Sequence, residues 1–495
     1  MRQLLFGLLP LVPLACAVSS AAPSVDTKDT GKPNQIATSK LGPIIERGQG
    51  CGGQEMADGR VATRGGGGAP SRAKRSVPSE EDAPAAPMGA AEMSRRPSPP
   101  PSPAVTGGAP PAGSPGRMPP PPPRPPMQQQ PSGVRAGEWD DNANFRDYVK
   151  WMAASSTKGK LEIGARQFLV VADKDGKPVP NCMITVSGGG QANLVTMASG
   201  RALLFPAAMG LSGQLTANAS CNGTTASAKF SAKDLDGVVK LTLDTARVLP
   251  AKRQIDLAFV LDTTGSMAEE IDAVKTTIQA VSAQLSTAQT DVRIGLVEYK
   301  DRSDCLLTRT FPFSSDLKAF SASVANISAD GGGDTPEDMH AGLTAALDKL
   351  QWRGDAVTRM VVVIADAPPQ FYAQERTYAD AARRAASRGI KLYTVAASGM
   401  DELGQVVMRQ MAQFTGASNM FVLRGGAGPQ SVGGGDPKSS CGGTHQDFSS
   451  GKLDQLILRK LRQELASIDA DPMKIPGRGQ DENAKPCEQR LVVAN

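Results

Sequence analysis

Residues 255–266, which read Ile-Asp-Leu-Ala-Phe-Val-Leu-Asp-Thr-Thr-Gly-Ser, decide the fold of this chain. The mostly apolar run 255–261 has the length and composition of a buried strand. It ends in the carboxylate of Asp262, and the hydroxyls of Thr264 and Ser266 follow just before a helical pattern begins. A strand that leads into a helix through such a cluster is where open α/β sheets bind ligands. One carboxylate with two neutral hydroxyls suits a hard cation such as Mg²⁺.

Strand and helix patterns alternate from Gln254 onward. The run 360–365 is almost entirely apolar, as in strands that are buried on both faces. Further strands are predicted at 292–299, at 306–313 on an edge of the sheet, at 390–396 and at 420–423. Helices are predicted at 271–285, near 317–327, from Pro336, near 378–388 and near 400–414. This pattern predicts an α/β fold with a doubly wound, mostly parallel, Rossmann-like sheet.

The regions on either side of this domain have different patterns. Residues 138–157 predict a short helix, and residues 158–248 predict a small all-β sandwich because short strands alternate with turns. The turn Asp175-Gly176-Lys177-Pro178 is similar to turns of carboxypeptidase-regulatory-like and immunoglobulin-like modules. Residues 426–470 predict a glycine-rich loop and a helix that packs back on the α/β domain. Residues 471–495 are predicted to be an irregular tail.

The N-terminus reads as a secretory signal over residues 1–17. Met1-Arg2-Gln3 precedes an apolar run that is too short to span a bilayer. Ala15-Cys16-Ala17 fits cleavage and release, whereas Leu14-Ala15-Cys16 resembles a bacterial lipoprotein signal that would leave Cys16 acylated. Both interpretations predict an exported protein, either in the cell envelope or outside the cell. Its contact with a membrane would be limited to a lipid on Cys16.

Residues 18–137 are predicted to be a disordered spacer. Proline and glycine runs such as 65–68 and 119–123 leave too few large apolar side chains to offset the entropy of ordering. The spacer would hold the folded part away from a surface. The net charge of +5 is spread along the chain, and aromatic residues make up only 4%. Nucleic-acid binding is therefore not expected.

The chain has seven cysteines, and six remain if Cys16 is removed or acylated. An even number of cysteines in an exported protein permits disulfides, and we predict Cys182–Cys221 and Cys441–Cys487 because each pair lies within one module. The two histidines, His340 and His445, are too few for a zinc site or a confident Ser-His-Asp set. The chain is therefore not expected to be an enzyme.

Three segments meet at the carboxyl ends of the predicted strands. The first carries Asp262, Thr264 and Ser266, the second carries Thr335, and the third is Asp366 directly after the strand 361–365. In their order and spacing these segments resemble the metal-ion-dependent adhesion site of the von Willebrand factor A (VWA) family, over residues 252–425. Exported bacterial A-domain proteins show a similar order of helix, sandwich and A domain.

The resemblance implies a role for each residue. Thr264, Ser266 and Thr335 would offer hydroxyl oxygens to the cation, and Asp262 and Asp366 would bind it directly or through water. Asp334 is an alternative to Thr335. Mg²⁺ fits best, and Ca²⁺ or Mn²⁺ could replace it.

Each of these residues also has a structural interpretation. Ser266 with Glu269 matches a capping box, Thr335 could cap the helix opened by Pro336, and Asp366 could be a turn residue. Three unrelated structural roles would have to fall together at the carboxyl ends of the strands of one sheet. The meeting of the three segments at one place therefore favours metal binding.

The expected function follows from the charge of the site. Neutral hydroxyls leave most of the cation's charge uncancelled, so an open coordination position would attract an acidic side chain of a protein partner. One alternative is a structural envelope protein whose site is empty or only stabilising. Another is a metal-assisted hydrolase, for which no general base is evident.

Overall fold

The computed structural model describes residues 42–50, 134–285, 290–333, 335–397, 399–422 and 449–478. The predicted signal, Cys16, Asp334, Cys441, Cys487 and residues 479–495 lie outside the described residues. None of the helices in the described part combines the length and the apolar composition needed to cross a membrane.

The described strands and helices follow one another along the chain. The strands are β1 Ile44–Arg47, β2 Arg135–Trp139, β3 Gln167–Ala172, β4 Met183–Ser187, β5 Gln191–Val195, β6 Arg201–Leu204, β7 Gln214–Cys221, β8 Thr224–Ser231, β9 Gly237–Thr242, β10 Arg253–Asp262, β11 Thr290–Tyr299, β12 Leu306–Ser314, β13 Thr358–Ala365, β14 Ile390–Ala396, β15 Asn419–Val422 and β16 Ser449–Lys452. The α-helices are α1 Phe145–Ala154, α2 Ile271–Gln284, α3 Leu317–Ala325, α4 Met339–Asp348, α5 Tyr378–Ala386, α6 Glu402–Phe414 and α7 Leu453–Ser467.

The central sheet has nine described strands in the order β1-β12-β11-β10-β13-β14-β15-β2-β16. The neighbours from β11 to β15 pair in parallel, and the four outer pairings are antiparallel. The predicted α/β fold is confirmed. Within residues 252–425, four of the five described pairings are parallel, as expected, and only β11–β12 is antiparallel. Strands β1, β2 and β16, from outside the predicted domain, extend the sheet with antiparallel pairings and make the whole sheet mixed.

Helices cover both faces of this sheet. Leu257 and Phe259 of β10 belong to an apolar cluster with α2, α3 and α7, whereas Ala258 and Val260 belong to a second cluster with α4, α5 and α6. The alternation of side chains along a strand explains why β10 is apolar on both sides. Helix α7 packs against α2, as its apolar stripe predicted.

The prediction that residues 18–137 are a disordered spacer is wrong in the two parts of it that the structure describes, residues 42–50 and 134–137. Residues 44–47 pair with β12, so β12 is not an edge strand, and residues 135–137 belong to β2. Hydrogen bonding from Thr308 Oγ1 to Glu46 Oε2 at 2.6 Å and an ion pair between Lys349 and Glu46 help to hold β1. Residues 51–133 therefore connect two strands on opposite sides of the central sheet, rather than preceding the folded part.

Seven strands lie outside the central sheet, and we call them the β module (residues 167–242). They make two sheets, β6-β3-β9 and β5-β4-β7-β8, of which β5 had no sequence prediction. The predicted disulfide Cys182–Cys221 is confirmed and joins the ends of β4 and β7. Cys305 is also disulfide-bonded, which we did not predict, and its partner lies outside the described residues.

The β module packs against the amino ends of the central strands. Asn181 Nδ2 donates to Ala356 O at 3.0 Å, just before β13, and Arg359 donates to Asn181 Oδ1 at 2.9 Å. Phe205 of the module stacks on Phe414 with the ring centroids 5.2 Å apart. The module thus lies at the amino ends of the central strands, whereas the candidate ligands lie at their carboxyl ends.

Candidate metal centre

Asp262 is the last residue of β10 and is fully buried, with an exposed fraction of 0%. Its Oδ1 accepts hydrogen bonds from the Thr264 backbone N at 3.0 Å and from Thr264 Oγ1 at 2.8 Å. Its Oδ2 accepts from the hydroxyl of Tyr299 at 3.3 Å. Tyr299 is directly opposite Asp262 in the parallel register of β10 and β11. The donors around this buried carboxylate are therefore all neutral.

A chain of side-chain contacts links Asp262 to Asp366. Ser266 Oγ donates to Asp366 Oδ1 at 3.0 Å, and the hydroxyl oxygens of Thr264 and Ser266 are 3.2 Å apart. Each hydroxyl has one proton. The hydroxyl of Thr264 donates its hydrogen bond to Asp262, and that of Ser266 donates to Asp366. The two hydroxyl oxygens therefore face each other with lone pairs only. A cation is the species that this arrangement of oxygens suits.

The structural interpretations of Ser266 and Thr335 are not what the chain adopts. Ser266 lies in a short 3₁₀ turn, and α2 begins only at Ile271. Helix α4 begins at Met339 rather than at Pro336, and its N-cap is Asp338, whose side chain accepts from Ala341 N at 3.0 Å. Asp338 thus takes the capping role that was considered for Thr335.

Thr335 is exposed. Among the described residues, no hydrogen bond links it to another predicted ligand. The loop that carries it (the 331–338 loop) nevertheless lies on the site. Gly265 N donates to Gly331 O at 3.0 Å. A Cβ added to Gly332, whose φ is +73°, would lie 3.1 Å from Thr264 Cβ and 3.1 Å from Glu337 Oε1. Glycine is thus needed for this close approach.

Glu337 is a residue of the site that sequence reasoning missed. Its exposed fraction is 2%, and its Oε2 has no hydrogen-bond partner among the described residues. Burial, followed by the negative charges of Asp262 and others nearby, raises the pKa of Glu337 to about 8. Its position two residues after Thr335 was the available signal.

The pKa of Asp262 is also raised, to about 7, because the carboxyl is buried and Asp366 is close. Charged carboxylates that crowd together in a buried place favour protonation or a bound cation. The two raised pKa values therefore support a cation between the 331–338 loop and Asp262.

The loop that follows β11 (the 301–305 loop) contacts the 331–338 loop at the carboxyl ends of the strands. Both carboxylate oxygens of Asp304 accept from Gly332 N at 3.0 Å, which holds Gly332 against Thr264. This loop follows the parallel neighbour of β10, and that adjacency was the signal that could have found it.

The donor chemistry points to a hard cation. Within the described ranges, no group of three His, Cys, Asp or Glu side chains could hold a metal ion by itself. A cation here would therefore depend on the hydroxyls of Thr264 and Ser266 in addition to Asp262 and Asp366. His340 contacts Thr344 Oγ1 through Nε2 at 3.2 Å, and Ser266 donates to Asp366, so these two side chains do not form a Ser-His pair.

Residues 256–425 match the model of the von Willebrand factor type A domain. This region is a VWA domain. It contains β11 to β15, most of β10 and all five predicted ligands. Strands β1, β2 and β16 and helix α7 lie outside the matched residues, so the VWA sheet is extended on both sides.

Two curated proteins are similar to part of this chain. Alpha-protein kinase vwkA of Dictyostelium discoideum is 36% identical over 134 residues, which cover 26% of this chain and 20% of that protein. A protein of Acanthamoeba polyphaga mimivirus, named as an ariadne-like RING finger protein, is 32% identical over 124 residues, which cover 25% of this chain and 12% of that protein. The chain thus spans a fifth or less of the length of these relatives.

Among solved structures, proximal thread matrix protein 1 from the mussel byssus is similar over 32% of this chain and 40% of that chain. The identity is 14% in one crystal form and 13% in another structure, with a TM-score of 0.26 in both. A likeness this low supports no further conclusion.

Proposed function

We propose that this chain is an exported protein that binds a protein partner through a divalent cation held by its VWA domain. The observation that carries the proposal is the contact chain from Asp262 through Thr264 and Ser266 to Asp366. Mg²⁺ suits these oxygen ligands best, and Ca²⁺ or Mn²⁺ could take its place. Thr335 would complete the set, since its loop already contacts Thr264 through Gly332.

Charge explains how a cation would control binding. Without it, the negative charge of Asp366, together with that of Asp262 and Glu337 at a pH where they are ionised, repels an acidic partner. With it, the neutral hydroxyls leave positive charge on the ion, and a partner carboxylate can take an open position. Ser266 and Thr335 are exposed, so the position is accessible from solvent.

Two features support export and a binding role. The Cys182–Cys221 disulfide fits an oxidising compartment, as does the signal predicted over residues 1–17. The Ser266 hydroxyl donates to Asp366, an arrangement that suits ligation more than nucleophilic attack. Whether Cys16 is acylated or removed is answered by mass spectrometry of the mature N-terminus.

The first test measures the melting temperature of metal-free protein before and after adding Mg²⁺. A ligand at a hundredfold excess over its Kd stabilises by about 2.7 kcal/mol, so the melting temperature should rise. Asp366→Asn should abolish the shift. Asp272→Asn, at an exposed carboxylate on α2, is the matched control and should keep it. The proposal fails if the unaltered protein shows no shift with Mg²⁺, Ca²⁺ or Mn²⁺.

The second test separates adhesion from a purely stabilising cation. The full chain is immobilised and exposed to envelope extract with Mg²⁺ or with chelator. A partner lost on chelation, and lost again with Ser266→Ala, supports adhesion. An identical set of partners in both conditions supports the stabilising role.

A further inference from the structure

Arg302 connects loops that carry the candidate site. Its Nε donates to Asp338 Oδ2 at 2.7 Å. Its Nη1 and Nη2 donate to Glu375 Oε1 and Oε2 at 2.9 and 2.7 Å, which is a two-pronged pairing. The guanidinium also lies over the ring of Tyr372, 3.5 Å from the centroid, and Tyr372 donates to Asp301 Oδ1 at 3.1 Å.

The partners of Arg302 place it between three parts of the site. Asp338 follows Glu337 and caps α4. Glu375 and Tyr372 belong to the loop that begins at Asp366 (the 366–377 loop). Arg302 itself belongs to the 301–305 loop, which holds Gly332 through Asp304. A single guanidinium thus joins the loop that carries Glu337 to the loop that carries Asp366.

We propose that Arg302 is a positioning residue for the cation site. By binding Asp338 and Glu375 at once, it fixes the spacing between the 331–338 loop and the 366–377 loop, and it thereby sets the affinity for the cation. This inference rests on the proposed function, because it assumes that the unaltered chain binds a divalent cation.

The geometry separates a positioning role from a stabilising one. The Arg302 and Glu375 side chains are 29% and 45% exposed, so their ion pair contributes little to folding stability, whereas Asp338 is fully buried and its pair with Arg302 also stabilises the fold. Glu375→Gln therefore tests the positioning role with little change in stability. The two-pronged geometry, in contrast, fixes direction as well as distance. A lysine cannot reproduce it, since an ammonium is a point charge.

The test is calorimetric titration of the metal-free full chain with MgCl₂. Arg302→Gln should raise the Kd for Mg²⁺ about tenfold, as expected when a group that orients ligands is removed. Arg302→Lys should raise it by less, and Glu375→Gln should also raise it. Arg376→Gln is the control, since Arg376 follows Glu375 in the sequence and has no ion pair with another described residue. It should leave the Kd for Mg²⁺ unchanged.

A double variant tests whether the two residues act together. Arg302→Gln combined with Glu375→Gln should raise the Kd no further than Arg302→Gln alone, because both remove the same connection. Additive increases would overturn the proposal.

The failure of this inference is distinguishable from failure of the proposed function. If the unaltered chain binds no divalent cation, the proposed function fails first. If the unaltered chain binds Mg²⁺ and Arg302→Gln binds it with the same Kd, Arg302 does not position the site, even if the melting temperature falls. If Arg302→Gln does not fold, Glu375→Gln decides: an unchanged Kd overturns the proposal.

Discussion

Asp256 and Asp262 lie on the same strand, β10, and both have an exposed fraction of 0%, yet their surroundings are opposite. Asp256, near the amino end of the strand, accepts hydrogen bonds from Arg293 at 3.0 and 2.8 Å and from Arg353 Nε at 2.9 Å. Asp262, at the carboxyl end, has the neutral donors Thr264 and Tyr299. One carboxylate has its cations built into the chain, and the other has none.

The difference shows how burial alone fails to identify a functional carboxylate. A buried charge must be paired, neutralised or bound to a metal. The two arginines neutralise the charge of Asp256 near the amino end of β10. At the carboxyl end of the strand, Asp262 has a pKa raised to about 7 and requires a proton or a cation from outside.

Asp256→Asn should have the largest effect on stability. It removes the negative charge shared by Arg293 and Arg353, and breaking a buried pair in this way costs about 3 kcal/mol. Urea unfolding of the metal-free protein measures the loss. The rise in melting temperature with Mg²⁺ should persist, because Asp256 lies at the other end of the strand. A lost Mg²⁺ response would break the comparison.

Asp262→Asn should have the opposite profile. The neutral amide needs no counter-charge, so the metal-free free energy of unfolding should not fall, while the Mg²⁺ stabilisation of about 2.7 kcal/mol at a hundredfold excess over Kd should disappear. The same urea titration with and without Mg²⁺ checks both statements. A metal-free loss as large as that of Asp256→Asn would show that Asp262 is a structural carboxylate.

The pH dependence should follow the raised pKa values of Asp262, about 7, and Glu337, about 8. Both lie above the ordinary values of 3.8 and 4.5, so the folded state binds these protons more tightly than the unfolded state. Metal-free stability should therefore fall as the pH rises from about 4 to about 8. The Mg²⁺ stabilisation should grow over the upper part of that range, because the cation competes with protons.

Urea midpoints measured at several pH values, with chelator and with Mg²⁺, test this dependence. Asp262→Asn should flatten part of the metal-free slope. If Asp262 instead made the metal-free protein more stable as the pH rises from 5 to 7, judged by the difference between the unaltered chain and Asp262→Asn, the raised pKa would be contradicted.

Thr335→Ala should have the smallest effect on the fold. The side chain is exposed, so the metal-free free energy of unfolding should change by less than about 0.5 kcal/mol. The affinity for Mg²⁺ should nevertheless fall if Thr335 is a ligand. An unchanged Kd would favour Asp334 in its place, and Asp334→Asn would then weaken binding instead.

Local patterns predicted the elements whose burial depends on their own sequence. The strand predicted at 390–396 is β14 with the same bounds, and the strand predicted at 255–261 is the core of β10. Strand β1 was missed because its four residues are ordered by pairing with β12, which is remote in the sequence. Strand β5 escaped for a similar reason, since its stabilisation comes from pairing with β4.

The site was predictable to the extent that it follows a motif. Asp262, Thr264, Ser266 and Asp366 lie at ends of strands, and their order in the chain placed them together. Glu337 and Arg302 act through contacts between loops, and no periodicity encodes such contacts. The helix was predicted to begin at Pro336, whereas α4 begins at Met339 because Asp338 caps it and ends the 331–338 loop.

The pairing of β1 with β12 also determines how the molecule would carry a mechanical load. Strand β1 is antiparallel to β12, which is antiparallel to β11, so β1 runs in the same direction as β10 and β11. The Ile44 end of β1 therefore faces the amino ends of β10 and β11, whereas Asp262 and Asp366 lie at the carboxyl ends of their strands. A pull on Ile44 towards the amino ends of the strands, resisted at Asp262, would act along β1, and it would load the hydrogen bonds to β12 together in shear instead of breaking them one by one.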